Sequence, residues 1–242
     1  MRTFTALARV DRANVFREPI LIVVTLVPFL TAALARFGLP PLVSWLDDAF
    51  GFDLRPFYGV LGGFLILLAP LMYGMVTGFL LLDDRDEKVL AAIEVTPLTR
   101  GGYLAYRLAA PVVLSVAIAW VVGALAEVVP VTTPGFAAAV LLAAGEAPLV
   151  ALAMVGLAGN KVEGLAVAKG LGIFLAAPFA LLAGESPWVY LAGIAPPFWV
   201  AKCLDAGSGS GPGLGVVILL GLVVHAAYVP VLAKRFIARQ EG

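Results

Sequence analysis

Residues 83–107 read DDRDEKVLAAIEVTPLTRGGYLAYR, and this charged segment separates two long apolar runs. Asp84, with Glu87 three residues later, has the spacing of a capping box that begins a helix. Three apolar residues then recur at helical spacing and form one stripe: Val89, Leu90 and Ile93. Pro97 ends the pattern, because proline disfavours helical geometry in the residue before it. The segment therefore predicts a short amphipathic helix over about 84–95, suited to docking on a soluble partner; a solvated loop helix between two spans is the alternative.

The composition is that of a membrane protein. Apolar residues make up 62% of the 242 residues and charged residues 13%, whereas soluble domains are about half apolar and a quarter charged. We therefore expect a single transmembrane domain over residues 1–242. The formal net charge is zero, so the composition gives no support for nucleic-acid binding. One cysteine, Cys203, provides no metal cluster, and no His, Cys and Asp residues have metal-ligand spacing.

Six apolar runs are long enough to cross a bilayer, which takes about 17–25 residues. They are 19–36, 58–82, 105–129, 136–159, 164–184 and 214–233. A polar loop is expected over 37–57. Before the sixth run, Pro196-Pro197 breaks an apolar stretch, which predicts a pair of short interfacial or re-entrant helices. Apolar and basic positions alternate over 1–18, which predicts an N-terminal interfacial helix, with a disordered basic tail as the alternative. The predicted fold class is thus an all-α membrane protein with six transmembrane helices.

The distribution of basic residues predicts the orientation. Six spans place both termini on one side of the membrane, together with residues 83–107 and the turn at 160–163. Thirteen of the sixteen Lys and Arg residues fall on that side. The positive-inside rule makes that side cytoplasmic, so we expect a multi-pass protein of the cell (inner) membrane with cytoplasmic termini.

Two short motifs carry a resemblance to a known family. Val95-Thr96-Pro97-Leu98-Thr99, followed by Tyr103 and Arg107, resembles the first cytoplasmic loop of ABC-2 type permeases, the membrane subunits of ATP-binding-cassette exporters. Asn160-Lys161-Val162-Glu163-Gly164, followed by Lys169, is similar to the second cytoplasmic loop of their drug-export branch, which includes fluoroquinolone exporters.

The resemblance implies that the coupling helix contacts an ATPase. That helix would use Asp84, Asp86, Glu87, Lys88, Val89, Leu90, Ile93 and Pro97. The residues that match the second cytoplasmic loop are Asn160, Lys161, Glu163 and Lys169. Residues 1–18 would form the elbow helix that precedes the first span in such permeases.

The resemblance also implies partners and a division of labour. Two permease subunits, identical or different, would pair around a central pathway, each carried on one cytoplasmic ABC ATPase that binds ATP and Mg. This chain would bind no cofactor and would not be an enzyme by itself. Its nearest approach to a phosphate-binding loop, residues 159–164, lacks the required Lys and Ser/Thr. The small extracellular portion favours efflux of drug-like or other amphipathic molecules, as in multidrug export.

Two ionisable residues lie within predicted spans and are candidates for the transport pathway. Glu146 is in the middle of the fourth span, where a carboxylate is expensive and usually faces a partner or a cavity. His225, the one histidine, lies in the sixth span. Either residue could instead have a structural role in packing. Together they also suggest a second hypothesis, a proton-coupled secondary transporter; a non-transporting membrane scaffold is a third.

Overall fold

A computed structural model describes residues 19–87, 100–184, 186–207 and 212–238, and all regular structure within these ranges is helical. Six of its segments are long and apolar enough to cross a membrane, which confirms the predicted fold class. The α-helices are α1 Pro19–Phe50, α2 Tyr58–Asp86, α3 Arg100–Ala126, α4 Pro134–Ala144, α5 Glu146–Leu157, α6 Lys161–Leu171, α7 Pro196–Gly207 and α8 Leu214–Ala238. The 3-10 helices are Arg55–Phe57, Gly172–Ala183 and Pro187–Ile194. The predicted elbow helix at 1–18 lies outside the described residues.

Helix α1 continues well past residue 36, where the first span was expected to end. It has 32 residues, which at 1.5 Å per residue makes it about 48 Å long, against about 30 Å for the hydrocarbon core of a bilayer. The prediction of a polar loop is therefore wrong for residues 37–50. Exposed apolar side chains at Phe37, Leu42 and Trp45 extend the apolar face of the helix, and the exposed Asp47 and Asp48 follow at its far end.

The fourth span consists of two helices instead of the continuous run expected over 136–159. Helix α4 ends at Ala144 and α5 begins at Glu146, with Gly145 between them. Pro148 has no N–H with which to bond the carbonyl of Ala144 four residues earlier. The Gly145 N–H bonds instead to the carbonyl of Leu142 at 3.0 Å, in a tighter turn. The break places Glu146 at the first position of α5.

The fifth span changes its helical type part of the way along. Helix α6 ends at Leu171, and Gly172–Ala183 continues the span as a 3-10 helix of 12 residues. Such helices rarely exceed about three or four residues, because their hydrogen-bond geometry is poorer than that of an α-helix.

The interior of the bundle is formed by the second and fourth spans. In the most apolar stretch of the second span 67% of the residues are buried, and in that of the fourth span 83% are. The corresponding value is 11% for both the first and the fifth spans. Glycines allow this close packing, as expected for small residues between membrane helices. A Cβ on Gly74 of α2 would lie 2.7 Å from the backbone oxygen of Ala147, and one on Gly78 would lie 2.6 Å from Met154 Sδ. These glycines therefore permit the close approach of α2 to α5.

Two short helices precede the sixth span, as Pro196-Pro197 predicted. Helix α7 contacts α2, α4 and α8, and the side chains of Phe198, Val200 and Cys203 are fully buried. Trp199 Nε1 donates a hydrogen bond of 2.7 Å to the Gly193 carbonyl, which ties α7 to the preceding 3-10 helix. Helix α7 is therefore part of the packed interior of the bundle.

Candidate functional site

One carboxylate, Asp84, joins the neighbouring ends of α2 and α3. It accepts a hydrogen bond from the Tyr103 hydroxyl, and Arg107 Nη2 lies 3.0 Å from Oδ2 and 3.2 Å from Oδ1. Arg107 Nε also donates to the Tyr103 hydroxyl oxygen at 2.8 Å. The Asp84 and Arg107 side chains are only 15% and 11% exposed, and Tyr103 is 1% exposed. This is an ion pair in which the charges are both nearly buried and hydrogen-bonded, the geometry in which such pairs are strong.

The residues on either side of that carboxylate bind other spans. Lys161 Nζ lies 2.8 Å from Asp83 Oδ2, which joins α2 to the first residue of α6. Arg85 donates to the carbonyls of Val155, at 3.4 Å, and Ala158, at 3.0 Å. These carbonyls are at the C-terminal end of α5, where backbone oxygens lack helical partners and a cation is favourable. Asp83, Asp84 and Arg85 together form the 83–85 cluster.

Helix α6 begins with a reciprocal capping box. The Asn160 side-chain oxygen accepts from the Glu163 N–H at 3.0 Å, and Glu163 Oε2 accepts from the Gly159 N–H at 2.6 Å. Asn160 and Glu163, both assigned to the second cytoplasmic loop, thus have a local structural function. Lys161 reaches the 83–85 cluster, and Lys169 is exposed on α6. The second cytoplasmic loop and the 83–85 cluster therefore meet at one end of the bundle.

The structure corrects one prediction at this end. Asp84 does not begin a separate helix, because α2 continues through Asp86 and Glu87 is its C-cap, with its N–H 2.9 Å from the Asp83 carbonyl. The capping-box spacing is a local pattern, whereas Asp84 is held by Arg107, which lies 23 residues further along the chain. The other predicted coupling residues lie outside the described residues: Lys88, Val89, Leu90, Ile93 and Pro97.

The two ionisable residues predicted within spans lie in contact at mid-span. His225 Nε2 is 3.3 Å from Glu146 Oε1, and the side chains are 10% and 8% exposed. The two atoms are not oriented as in an ordinary hydrogen bond, and neither has another hydrogen-bond partner within the described residues. A Cβ on Gly145 would lie 3.1 Å from His225 Cδ2, so the glycine at the break between α4 and α5 makes room for the imidazole.

Donor and acceptor chemistry limits the protonation states of this pair. His225 Nδ1 lies 2.7 Å from the Gly221 carbonyl oxygen, which only accepts, so Nδ1 carries a hydrogen. Without a further proton, the lone pair of Nε2 would face a carboxylate oxygen and the two would repel. The pair is therefore either a carboxylic acid beside a neutral imidazole or a carboxylate beside an imidazolium.

Sequence reasoning did not assign a function to three residues that form these contacts. Arg85 had no motif of its own, and its role depends on carbonyls 70 and 73 positions away in the chain. Tyr103 and Arg107 were noted only as part of a resemblance. Their four-residue spacing places both on one face of α3, which was the available sign that they bind a common partner.

Six apolar spans, an ionisable pair buried at mid-span and a charged cluster that joins the span ends together define a multi-pass membrane protein. The sequence model of the family described as "Fluoroquinolones export permease protein Rv2686c-like" matches residues 11–233, and the chain belongs to that family. This match confirms the resemblance to drug-export permeases drawn from the two loop motifs.

Two relatives come from Mycobacterium tuberculosis. The chain is 30% identical over 244 residues to "Fluoroquinolones export permease protein Rv2686c" of strain ATCC 25618 / H37Rv. The aligned region covers 98% of this chain and 95% of the relative. The same values hold for "Fluoroquinolones export permease protein MT2760" of strain CDC 1551 / Oshkosh. No solved structure matches the chain.

Proposed function

We propose that this chain is the membrane-spanning subunit of an ATP-driven ABC exporter that moves drug-like amphipathic molecules, with ATP hydrolysed by a separate subunit. The observation that carries the proposal is the match over residues 11–233 to a family of fluoroquinolones export permeases. The cargo class follows from the printed names of the relatives, and fluoroquinolones are the first compounds to test.

The ATPase subunit, which would hold ATP and Mg, docks in this proposal at the end of the bundle that contains the 83–85 cluster. The bias of basic residues supports a cytoplasmic location for that end. There α2 is joined by polar contacts to α3, α5 and α6, so a force applied to the chain just after α2 reaches four spans at once. A second permease subunit, identical or different, completes the pathway in the cell membrane.

Transport itself is the direct test. Inside-out vesicles containing this chain and its candidate ATPase should accumulate a fluorescent fluoroquinolone when ATP is added. Vesicles with an ATPase variant that binds but does not hydrolyse ATP serve as the control. Accumulation that is equal with and without hydrolysis would contradict the proposal.

A substitution in the predicted coupling helix tests the docking site separately. Ile93→Asp places an unpaired charge in the proposed apolar contact, a large penalty. It should abolish co-purification of the ATPase while the permease still inserts and folds. Lys88→Ala is the matched control, because charges at the rim of an interface contribute little compared with buried apolar anchors. Unchanged co-purification, stimulated hydrolysis and transport in Ile93→Asp would show that the segment only connects two spans.

A proton-coupled secondary transporter is the second candidate, and the Glu146–His225 contact favours it. A shared proton at mid-span is a feature of proton relays in transporters. The two candidates differ in their energy source. Collapsing the proton gradient with an ionophore while ATP is maintained should stop a proton-coupled transporter and leave an ATP-driven exporter working.

A further inference from the structure

An apolar cavity of about 180 Å³ lies beside Glu146, between α5, the fifth span, the start of α7 and α8. Its walls are almost entirely aliphatic and aromatic side chains and prolines. Among the described residues that line it, Glu146 carries the one ionisable carboxyl, and Tyr228 has the one hydroxyl. That hydroxyl already donates to the Ile194 carbonyl at 3.0 Å. Glu146 is therefore the group in this cavity with bonding capacity left for a ligand.

The carboxyl is poorly satisfied by the protein around it. Glu146 is only 6% exposed, and its Oε1 has no well-oriented hydrogen-bond donor within the described residues. A buried carboxyl in apolar surroundings is costly unless it is paired with a cation or a donor. His225 approaches it from α8 but without hydrogen-bond geometry. A ligand ammonium can take the place of the extra proton of the Glu146–His225 pair and give the carboxylate a well-oriented cationic donor.

The volume of the cavity limits what it can hold. An engineered apolar cavity of about 150 Å³ takes one benzene molecule, whereas complete drug sites are typically about 300–1,000 Å³. A cavity of about 180 Å³ therefore accepts one ring or a short branched chain. A larger cargo molecule would place only one end in it.

We propose that this cavity binds the amine-bearing end of an amphipathic organic cation, with Glu146 as counter-ion and the apolar walls around the adjoining ring. The inference rests on the proposed export of amphipathic molecules and names the chemical class of the cargo. A lipid acyl chain would match the apolar walls but would leave the carboxyl without a partner.

Binding can be measured on the purified full-length chain in nanodiscs of zwitterionic phosphatidylcholine, with no ATPase present. The probes are 4-(trifluoromethyl)benzylamine and its uncharged counterpart 4-(trifluoromethyl)benzyl alcohol, followed by fluorine NMR against empty nanodiscs. The wild-type protein should bind the amine at least about tenfold more tightly than the alcohol. Glu146→Gln should weaken amine binding by about thirtyfold, as expected for truncating a desolvated charge pair, and leave the alcohol within about twofold.

A second variant tests the cavity independently of the charge. Ala153 lines the cavity and is 5% exposed, so Ala153→Phe should fill the cavity and remove binding of both probes. Equal binding of amine and alcohol to the wild-type protein would overturn the proposal. Unchanged binding of the amine in Glu146→Gln would also overturn it. Unchanged binding of the probes in Ala153→Phe would overturn it too, because it would show that they sit in lipid or elsewhere. Because no transport is measured, a chain that binds the amine but does not export with ATP would refute only the proposed function.

Discussion

Replacing Asp84 with asparagine tests whether the 83–85 cluster holds the spans together. The change keeps the shape of the side chain but removes its charge, so the Arg107 guanidinium, 11% exposed, loses the carboxylate now 3.0 Å away. Asparagine can also present an NH₂ group to the guanidinium or the Tyr103 hydroxyl in place of an acceptor oxygen. The nearly buried cation of Arg107 then loses this counter-ion.

The magnitude follows from the burial of the pair. Removing one partner of a buried ion pair costs about 3–5 kcal/mol, whereas exposed pairs contribute about 0–1 kcal/mol. With the Asp84 and Arg107 side chains at 15% and 11% exposure, the loss should lie near the lower end of the buried range, about 3 kcal/mol. For a chain of this size that corresponds to a fall in Tm of about 6–12 °C.

The neighbouring residue provides a matched control. Asp83→Asn removes the same charge one position earlier, but its partner Lys161 is 52% exposed. We expect that variant to lose less than about 1 kcal/mol. Both can be measured in detergent, as thermal melts and as SDS-induced unfolding followed by circular dichroism.

A double-mutant cycle separates the ion pair from other effects of the change. Asp84→Asn combined with Arg107→Gln should cost less than the sum of the two single changes, with a coupling free energy of about 1–3 kcal/mol. Equal losses for Asp83→Asn and Asp84→Asn, or a coupling energy near zero, would refute the reasoning that the Asp84 contacts hold α2 and α3 together.

Three further predictions concern other contacts. Arg85→Met should lower the free energy of unfolding by about 1.5–3 kcal/mol in SDS titrations, because two backbone carbonyls lose a charged donor. Lys161→Met should lower it by less, and an equal loss in the two variants would count against this role of Arg85. Gly74→Ala should lower Tm, since even a Cβ there lies 2.7 Å from a backbone oxygen of α5, while Gly59→Ala, with open space around it, should not. Burial raises the pKa of the Cys203 thiol to about 12, so the thiol stays protonated at about pH 8 and should resist maleimide until SDS unfolds the chain; prompt labelling of folded protein would contradict its burial.

The spans could be predicted because hydropathy is a property of consecutive residues. The end of the first helix could not, since Pro40-Pro41 and the two aspartates that follow are typical of a loop. Two prolines end a helix only when no other force favours its continuation. The apolar face at Phe37 and Leu42 provides that force in a membrane environment, and the sequence pattern does not weigh one effect against the other.

In the candidate site, the sequence identified the unusual residues but not the contacts between them. A carboxylate at position 146 and a histidine at 225 are each recognisable as unusual within a span. Their contact depends on how α5 packs against α8, which no local pattern records. Asp84 was misread for the converse reason, because a nearby Glu87 completed a familiar motif while its partners lay more than 15 residues away.

The 3-10 helix in the fifth span makes this segment longer than an α-helix of the same residues would be. Its 12 residues, Gly172–Ala183, extend about 24 Å at the 3-10 rise of 2.0 Å per residue but only about 18 Å at the α-helical rise. A change from 3-10 to α-helix would therefore shorten the span by about 6 Å. Each backbone N–H would exchange a carbonyl three residues earlier for one four residues earlier as its hydrogen-bond partner. The backbone can thus take up or release one helical turn of height without opening to lipid. Phe174 and Leu175 would travel with that change, and both line the cavity beside Glu146.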